Sequence, residues 1–577
     1  MMSKGSTHGI RGGWWDPWLI AATVGPLALL LLLLGGRPGE PVADDYDYLH
    51  QILLTHWSWF DGCGSILYWR PLARQAYYAL LAPWMLTQPM VVALVQMGCL
   101  CLSSLLLYRT FRRGLNPDIA FAISTAPWMM ESSRLLIMWP SCFQDLGALL
   151  FVSLALHEAV AARLWSFLAS GLAALLCKEV AAIPLIAILA CPLVRLDRER
   201  QRRTWLLSVA LLLAAWAAVY LRVYERASLT IPGPGGGHWP SLAWIPGIAM
   251  IPWWLFKAVW SLPPTRELVD LVIAAVLIVS IPWPRVLATL RNHRSEMRAW
   301  WFWGLAWSAP LALTLILLYP SWDPYRCALV GLGVFAATMV TLRALHRHAI
   351  PAFLLVRLAL LAVAPRPVRE VTLEPPIRGA SIDVPRLSRL QLFVAEVRHE
   401  LQVHLPRLPH GAVVVQENFP AMTERAFGLR PALHVWYRDT TLKWLPISQW
   451  FATPSLPVAT VVEYQGNRSD PVALVEPEAM RAMIRATVAL NDGRENESLH
   501  LLARAESLQV DTSATVFRES VEGKRHYAIA MLRFKEGRYD EARSELLALL
   551  AAHPGDVPAH RKLEEVEEIL ARSRLPQ

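Results

Sequence analysis

Long apolar runs separated by short polar or basic stretches dominate the chain up to about residue 364, after which the pattern changes. A helix that crosses a bilayer takes ~20 mostly apolar residues. Runs of that kind occupy residues 17–36, 88–108, 118–138, 145–162, 164–177, 179–194, 204–224, 268–284, 300–319, 326–342 and 350–364. The pattern therefore predicts about eleven spanning helices. The first run is uncharged between Asp16 and Arg37 and lacks a small-residue cleavage site, so it reads as a retained helix and not as a signal peptide. The last is the poorest, with Arg357 in its middle. Residues 240–260 are apolar but rich in Pro and Trp, which suits the membrane interface better than a span.

Basic clusters at 109–113, 195–203, 285–298 and 343–348 fall between the runs. Placing all four on the cytoplasmic side gives a consistent alternation. It leaves 37–87, 139–144, 178–179, 225–267 and 320–325 outside, and an odd number of spans puts residues 365–577 there too.

Beyond the runs the periodicities are those of a soluble protein. Residues 365–400 begin rich in Pro and Arg and turn helical over 387–401. Segments 412–416, 432–437 and 458–464 are β-rich and bounded by Pro, Gly and Asn, which predicts a small soluble α/β domain over 365–478. Residues 479–577 are helical in pattern. The expected order is a membrane domain over 1–364, the α/β domain, and a helical tail.

Composition sharpens this picture. Of 577 residues, 55% are hydrophobic and only 18% charged, and 23 of the 26 Trp precede residue 365. A purely soluble enzyme is excluded, because so little charge would leave its surface uncovered. The net charge of +9 does not point to nucleic acid, since the positive-inside rule already accounts for the basic clusters. All seven Cys also precede residue 365 and no CxxC pair occurs; Cys99 and Cys101 lie inside an apolar run, where small buried thiols are expected.

Candidate chemistry gathers in the outer loops. The first holds Asp44, Asp45, Tyr46 and Asp47, then His56, Asp61 and the segment Tyr68-Trp69-Arg70-Pro71-Leu72. Three carboxylates within four residues repel one another unless a cation or a proton compensates. They suit either a general base, with Asp45 slightly ahead of Asp44, or a divalent cation (Mg or Mn) held by the two. Lys178-Glu179 interrupts an apolar region, where ionisable groups are expensive and tend to serve function. Trp139, Gln144 and Asp145 fill a short outer loop, and Tyr325-Arg326 closes another that starts at Tyr319. A guanidinium there is suited to grip a lipid phosphate through two parallel hydrogen bonds.

Taken in order, Asp44-Asp45-Tyr46, Tyr68-Trp69-Arg70-Pro71-Leu72, Cys177-Lys178-Glu179 and Tyr325-Arg326 resemble the landmarks of the GT-C class of polytopic glycosyltransferases, in particular bacterial relatives of the protein O-mannosyltransferases. The match covers roughly residues 17–345. The family's Glu lies closer to the following Trp than Glu131 does to Trp139, so no role passes to Glu131. The tail resembles a tetratricopeptide repeat: Tyr527 to Phe534, Gly537, Tyr539, Ala542, Leu546, Leu549 and Pro554 follow its second half, and 480–510 resembles an earlier copy.

The resemblance implies an α-helical polytopic membrane enzyme of the bacterial inner (plasma) membrane with its C-terminal domain extracytoplasmic. It would transfer a mannose-like hexose from a polyprenyl-phosphate donor to a protein or glycan acceptor. Asp45 or Asp44 would act as base or metal ligand, Arg326 with Arg70 and Lys178 would hold the donor phosphate, and Asp47, Tyr46, His56, Glu179 and Tyr325 would support them. The repeat-like tail would bind a protein partner. Two competing readings are a membrane-anchored scaffold that has lost catalysis, which has no need of Asp44 and Asp45, and a transporter. The latter usually carries ionisable groups near the midplane and two related halves.

Overall fold

A computed structural model describes residues 16–63, 68–131, 133–196, 198–230, 248–262, 267–280, 284, 288, 291, 294–318, 324–368, 382–420, 426–427, 431–452, 456–466, 468 and 470–573. The described residues are mostly helical, with a small sheet. It forms two compact units, the first from the described parts of Met1–Arg369 and Pro375–Leu392, the second from those of Glu370–Glu374 and Phe393–Gln577.

Among the described residues, four helices are long and apolar enough to cross a membrane: Pro89–Phe111, Pro140–Val160, Glu199–Arg226 and Cys327–Leu345. All belong to the first unit. Shorter apolar helices accompany them at Pro17–Leu32, Leu164–Cys177, Glu179–Ile188, Leu271–Ser280 and Ala349–Ala362.

The run at 118–138 is not one helix, contrary to its hydropathy. It breaks into Pro117–Ser124 and Ser133–Met138. Pro127 cannot donate to the helical ladder, and Thr125 Oγ1 and Ser133 Oγ bond to Ala122 O and Pro127 O around the break. Of the other expectations, 240–247, most of the 285–298 cluster and 319–323 lie outside the described residues. The segment Ile251–Trp260 is a helix.

Residues 37–43 lead from the first helix to the helix Asp44–Leu54 and are clamped in place. Gly39 N donates to Met138 O, and Gln391 Nε2 donates to both Glu40 O and Met138 O. Gly39 sits at φ +84, and a Cβ there would meet Pro89 O at 2.0 Å, so only glycine fits.

In the second unit the sheet order is β2-β1-β3-β4, from Val413–Glu417 (β1), Lys443–Pro446 (β2), Val458–Tyr464 (β3) and Val472–Val475 (β4). The first three strands are parallel and β4 is antiparallel to β3. The β-rich segment 432–437 is instead the helix Pro431–Tyr437. Parallel β1 and β2 need a crossover, Pro431 is preorganised for a first helical turn, and Ala432, Leu433, Val435 and Trp436 are buried.

No boundary falls at 478. Val413, Val461 and Val475 of the sheet share one core with Met480 and Ala486 of Pro477–Asn491, Leu502 of Glu495–Leu508 and Phe517 of Thr515–Lys535. Residues 384–392, expected in the α/β domain, group with the first unit. Two turns in the helical tail are built alike: Gly493 (φ +73) and Gly537 (φ +78) are each followed by an Arg whose N–H bonds five residues back.

Candidate functional site

The helix Asp44–Leu54 opens with Asp44, Asp45 and Asp47 in its first turn, where unpaired N–H groups and the helix dipole favour negative charge. Adjacent residues on a helix point about 100° apart, so the paired aspartates part company. Asp45 is wholly buried and fully engaged. Tyr78 Oη donates to its Oδ1 at 2.5 Å, while Val42 N and Trp139 Nε1 donate to Oδ2 at 2.8 and 3.1 Å. Asp44 instead faces a cavity of about 100 Å³.

Four cationic side chains line that cavity with it: Arg70, Arg74, Lys178 and Arg326. They come from three distant parts of the chain. After Pro71 the backbone makes a π-helical turn, Leu72–Ala76, in which Ala76 N reaches back to Pro71 O at 2.9 Å. Such turns recur at functional sites. Here it carries Arg74, whose Nη1 donates to Gly62 O at 3.0 Å and whose guanidinium lies over the Tyr48 and Tyr68 rings.

Lys178 sits in the break between the helices Leu164–Cys177 and Ala182–Ile188, extended at φ −159. Gly147 lets the facing helix come close, because a Cβ there would stand 2.8 Å from Cys177 Sγ. That approach brings Lys178 Nζ to 2.6 Å from Asp145 Oδ1. Glu179 does not line the cavity but fixes Arg70 as a fork, accepting from Nε at 2.7 Å and Nη2 at 2.5 Å. Arg70 also donates to Gln144 Oε1. Arg326 donates to Tyr325 Oη at 3.2 Å, and the Tyr325 ring stands edge-on to Trp139, 5.9 Å between centroids. Trp139 thus touches both Asp45 and the Tyr325-Arg326 corner.

Burial raises the pKa of Asp44 above the usual aspartate value, although the residue as a whole keeps exposed surface; Arg74 and Arg70 pull it back down. Burial pushes Asp45 up to about 8 against the three hydrogen bonds it accepts. Asp47, exposed and off the cavity, is raised to about 6 by burial and then by Asp44.

The structure therefore brings together Asp44, Arg70, Lys178, Tyr325 and Arg326. Tyr46 is buried outside the cavity lining, and His56 is exposed away from it. Sequence reasoning gave no role to Arg74, Tyr48 or Tyr78. Only Arg74 left a signal, as a second Arg four residues after Arg70 in a polar loop.

The donor set does not fit a divalent metal. Both Asp45 oxygens are occupied by N–H and O–H donors, and Asp44 stands among cations. Among the described residues, no three His, Cys, Asp or Glu side chains are grouped to hold a metal ion. Four cations against Asp44, Asp145 and Glu179 make the chamber suited to an anion. No protein-family model, curated protein or solved structure matches the chain.

Proposed function

We propose that the protein is an integral-membrane glycosyltransferase of GT-C type, with about eleven spans. In this reading it moves a hexose, mannose-like, from a polyprenyl-phosphate donor to a protein or glycan acceptor on the outer face of a bacterial inner membrane. The tail of paired helices is read as a tetratricopeptide-like partner site, extracytoplasmic with the rest of residues 365–577. The observation that carries the reading is the convergence of Asp44 with Arg70, Lys178 and Arg326, spread over more than 250 positions of sequence, on one small chamber.

The chemistry assigned to these groups is a substitution at the anomeric carbon. The acceptor oxygen forms the new bond as the carbon–phosphate oxygen bond breaks, and Asp44 takes the acceptor proton. Arg326, Arg70 and Lys178 offset the charge left on the lipid phosphate. Asp45 is a positioning residue that fixes the helix start against Tyr78 and Trp139. No metal is assigned to the step, because the cationic side chains already neutralise the leaving group.

The test uses the full-length protein in liposomes with labelled polyprenyl-phosphate hexoses and a peptide or glycan acceptor. Label should move to the acceptor, and EDTA should leave the rate unchanged. Arg326→Lys keeps the charge but loses the fork, and should weaken donor binding roughly tenfold. Absence of transfer with every hexose offered, from protein that still binds the donor, would overturn the reading.

A further inference from the structure

The helix Glu199–Thr230 carries a feature that the chamber does not use. Of the four helices able to span, it is the most turned away from the protein, with 11% of its apolar window buried against 44–72% for the others. Along one face lie Ala218 and Val219, then Arg222 and Val223, then Arg226, each step four residues on. Phe60 of the first outer loop covers that face, and between them runs an open groove of about 420 Å³. Its floor is apolar, with Val223 buried, and among the described residues its charged lining groups are Arg226 and Arg222, the latter also paired with the exposed Glu225 at 3.3 Å.

Phe60 is held in position. It stacks on Trp69 with centroids 6.5 Å apart, and Trp69 Nε1 donates to Trp59 O at 2.7 Å. Trp59 and Phe60 are exposed, and Trp57 packs edge-on against Trp59. An exposed cluster of Trp and Phe beside the end of a spanning helix marks the depth of the lipid headgroups. The arginines therefore stand where headgroup phosphates lie, with the apolar floor running from them toward the acyl region.

We propose that this groove binds an anionic glycerophospholipid of the surrounding bilayer, with an acyl chain against Phe60, Ala218 and Val219 and its phosphate at Arg222 and Arg226. Charge complementarity selects an anionic lipid over a zwitterionic one. The groove opens to the lipid-facing side, where bulk phospholipid is the abundant occupant, whereas a substrate phosphate already has Arg70, Lys178 and Arg326 in the chamber. The inference rests on Glu199–Thr230 spanning the membrane, and only the exclusion of a substrate phosphate draws on the transferase reading.

The full-length protein is reconstituted in nanodiscs of equal phosphatidylglycerol and phosphatidylcholine, extracted in mild detergent, and its retained lipids are counted by native mass spectrometry. Wild type should retain phosphatidylglycerol in preference. Each of Arg222→Gln and Arg226→Gln should cut that preference roughly fivefold. Both side chains are exposed, so the melting temperature should hold. Ala218→Trp, which fills the floor and keeps both charges, should lower retention of the same lipid. Equal retention of the two lipids by wild type, or unchanged preference in the double arginine variant, overturns the proposal. So does displacement of phosphatidylglycerol by an equimolar polyprenyl phosphate, which would give the groove to the substrate. Release of the protein from membranes by salt alone would overturn it as well, by removing the spanning premise on which it rests.

Discussion

Ion pairs do opposite work in the two units. In the first, Arg70–Glu179, Lys178–Asp145 and Arg134–Glu131 are almost wholly shielded, with side chains 0–12% exposed. Two of these pairs join residues 109 and 33 positions apart. In the second, pairs such as Arg538–Glu541, Arg494–Glu497 and Arg572–Glu568 are three or four residues apart on one helix and stand in solvent. Exposed pairs of that kind contribute ~0–1 kcal/mol and mainly keep a helical surface soluble. A buried pair is costly to assemble and is weak evidence for stability. Under the proposed function, its presence twice around one chamber is charge kept for use. Arg134–Glu131 is the instructive exception: it is just as buried but off the chamber, and it ties the broken segment after Pro127 to Pro365 O.

The comparison breaks most sharply at the paired aspartates. Asp44→Asn removes a charge from the chamber but no structural bond described for that side chain, so transfer should fall ~10²- to 10⁴-fold while the melting temperature holds. Asp45→Asn puts an amide where three donors converge, so it should lower thermal stability along with the rate. Initial rates and melts on the same preparations separate the two. Wild-type rates in both variants would strip the chamber of its catalytic assignment.

A slightly smaller effect tests whether a chamber pair is held for function. Lys178→Met leaves Asp145 buried and unpaired, and should destabilise the protein by about 3–5 kcal/mol. The double change with Asp145→Leu should restore much of that stability, since buried pairs exchange well for apolar residues. Donor affinity, measured by titration, should stay low in both. If the double variant binds donor like wild type, Lys178 belongs with the structural pairs.

How far these sites were legible follows from the same contrast. Asp44-Asp45 and Lys178-Glu179 stand out in sequence because charge among apolar residues needs a reason. Their convergence was readable only as far as the alternation of spans put them on one face. The choice between Asp44 and Asp45 turns on the rotation of one helix, set by Tyr78 and Trp139, which lie 33 and 94 residues away from Asp45. Arg74 reaches the cavity through a π-helical turn that no periodicity announces. The break at Pro127 was masked because every residue from Ile119 to Met130 is apolar, small or hydroxylated. In the second unit β1 and β3 were legible as continuous β-branched runs, whereas the Pro431–Tyr437 helix carries the same residue types and is decided by the crossover it must make.

The smallest expected effect asks whether the second unit holds any buried charge comparable to the chamber's. Glu463, at the end of β3, is 2% exposed and accepts from Phe517 N at 3.0 Å, at the start of the helix Thr515–Lys535. Burial pushes its pKa up to about 7; the Phe517 N–H and Arg468 oppose the shift, while Glu417, its register partner on β1, and Glu519 add to it. Between about 4.5, its ordinary value, and about 7 the folded unit holds a proton that the unfolded chain has lost. The stabilisation is therefore complete below the ordinary value and disappears as pH rises through 7. Its full span is up to ~3 kcal/mol. Hydrogen exchange at the Phe517 amide reads this locally: protection should fall from pH 5 to pH 8 after correction for intrinsic rates. Glu463→Gln keeps the carbonyl acceptor and removes the titration, so its protection should be level across that range and exceed wild type at pH 8. A wild-type profile as flat as the variant's would mean that Glu463 is ionised throughout, held by Arg468 in the way Glu179 is matched by Arg70 in the first unit.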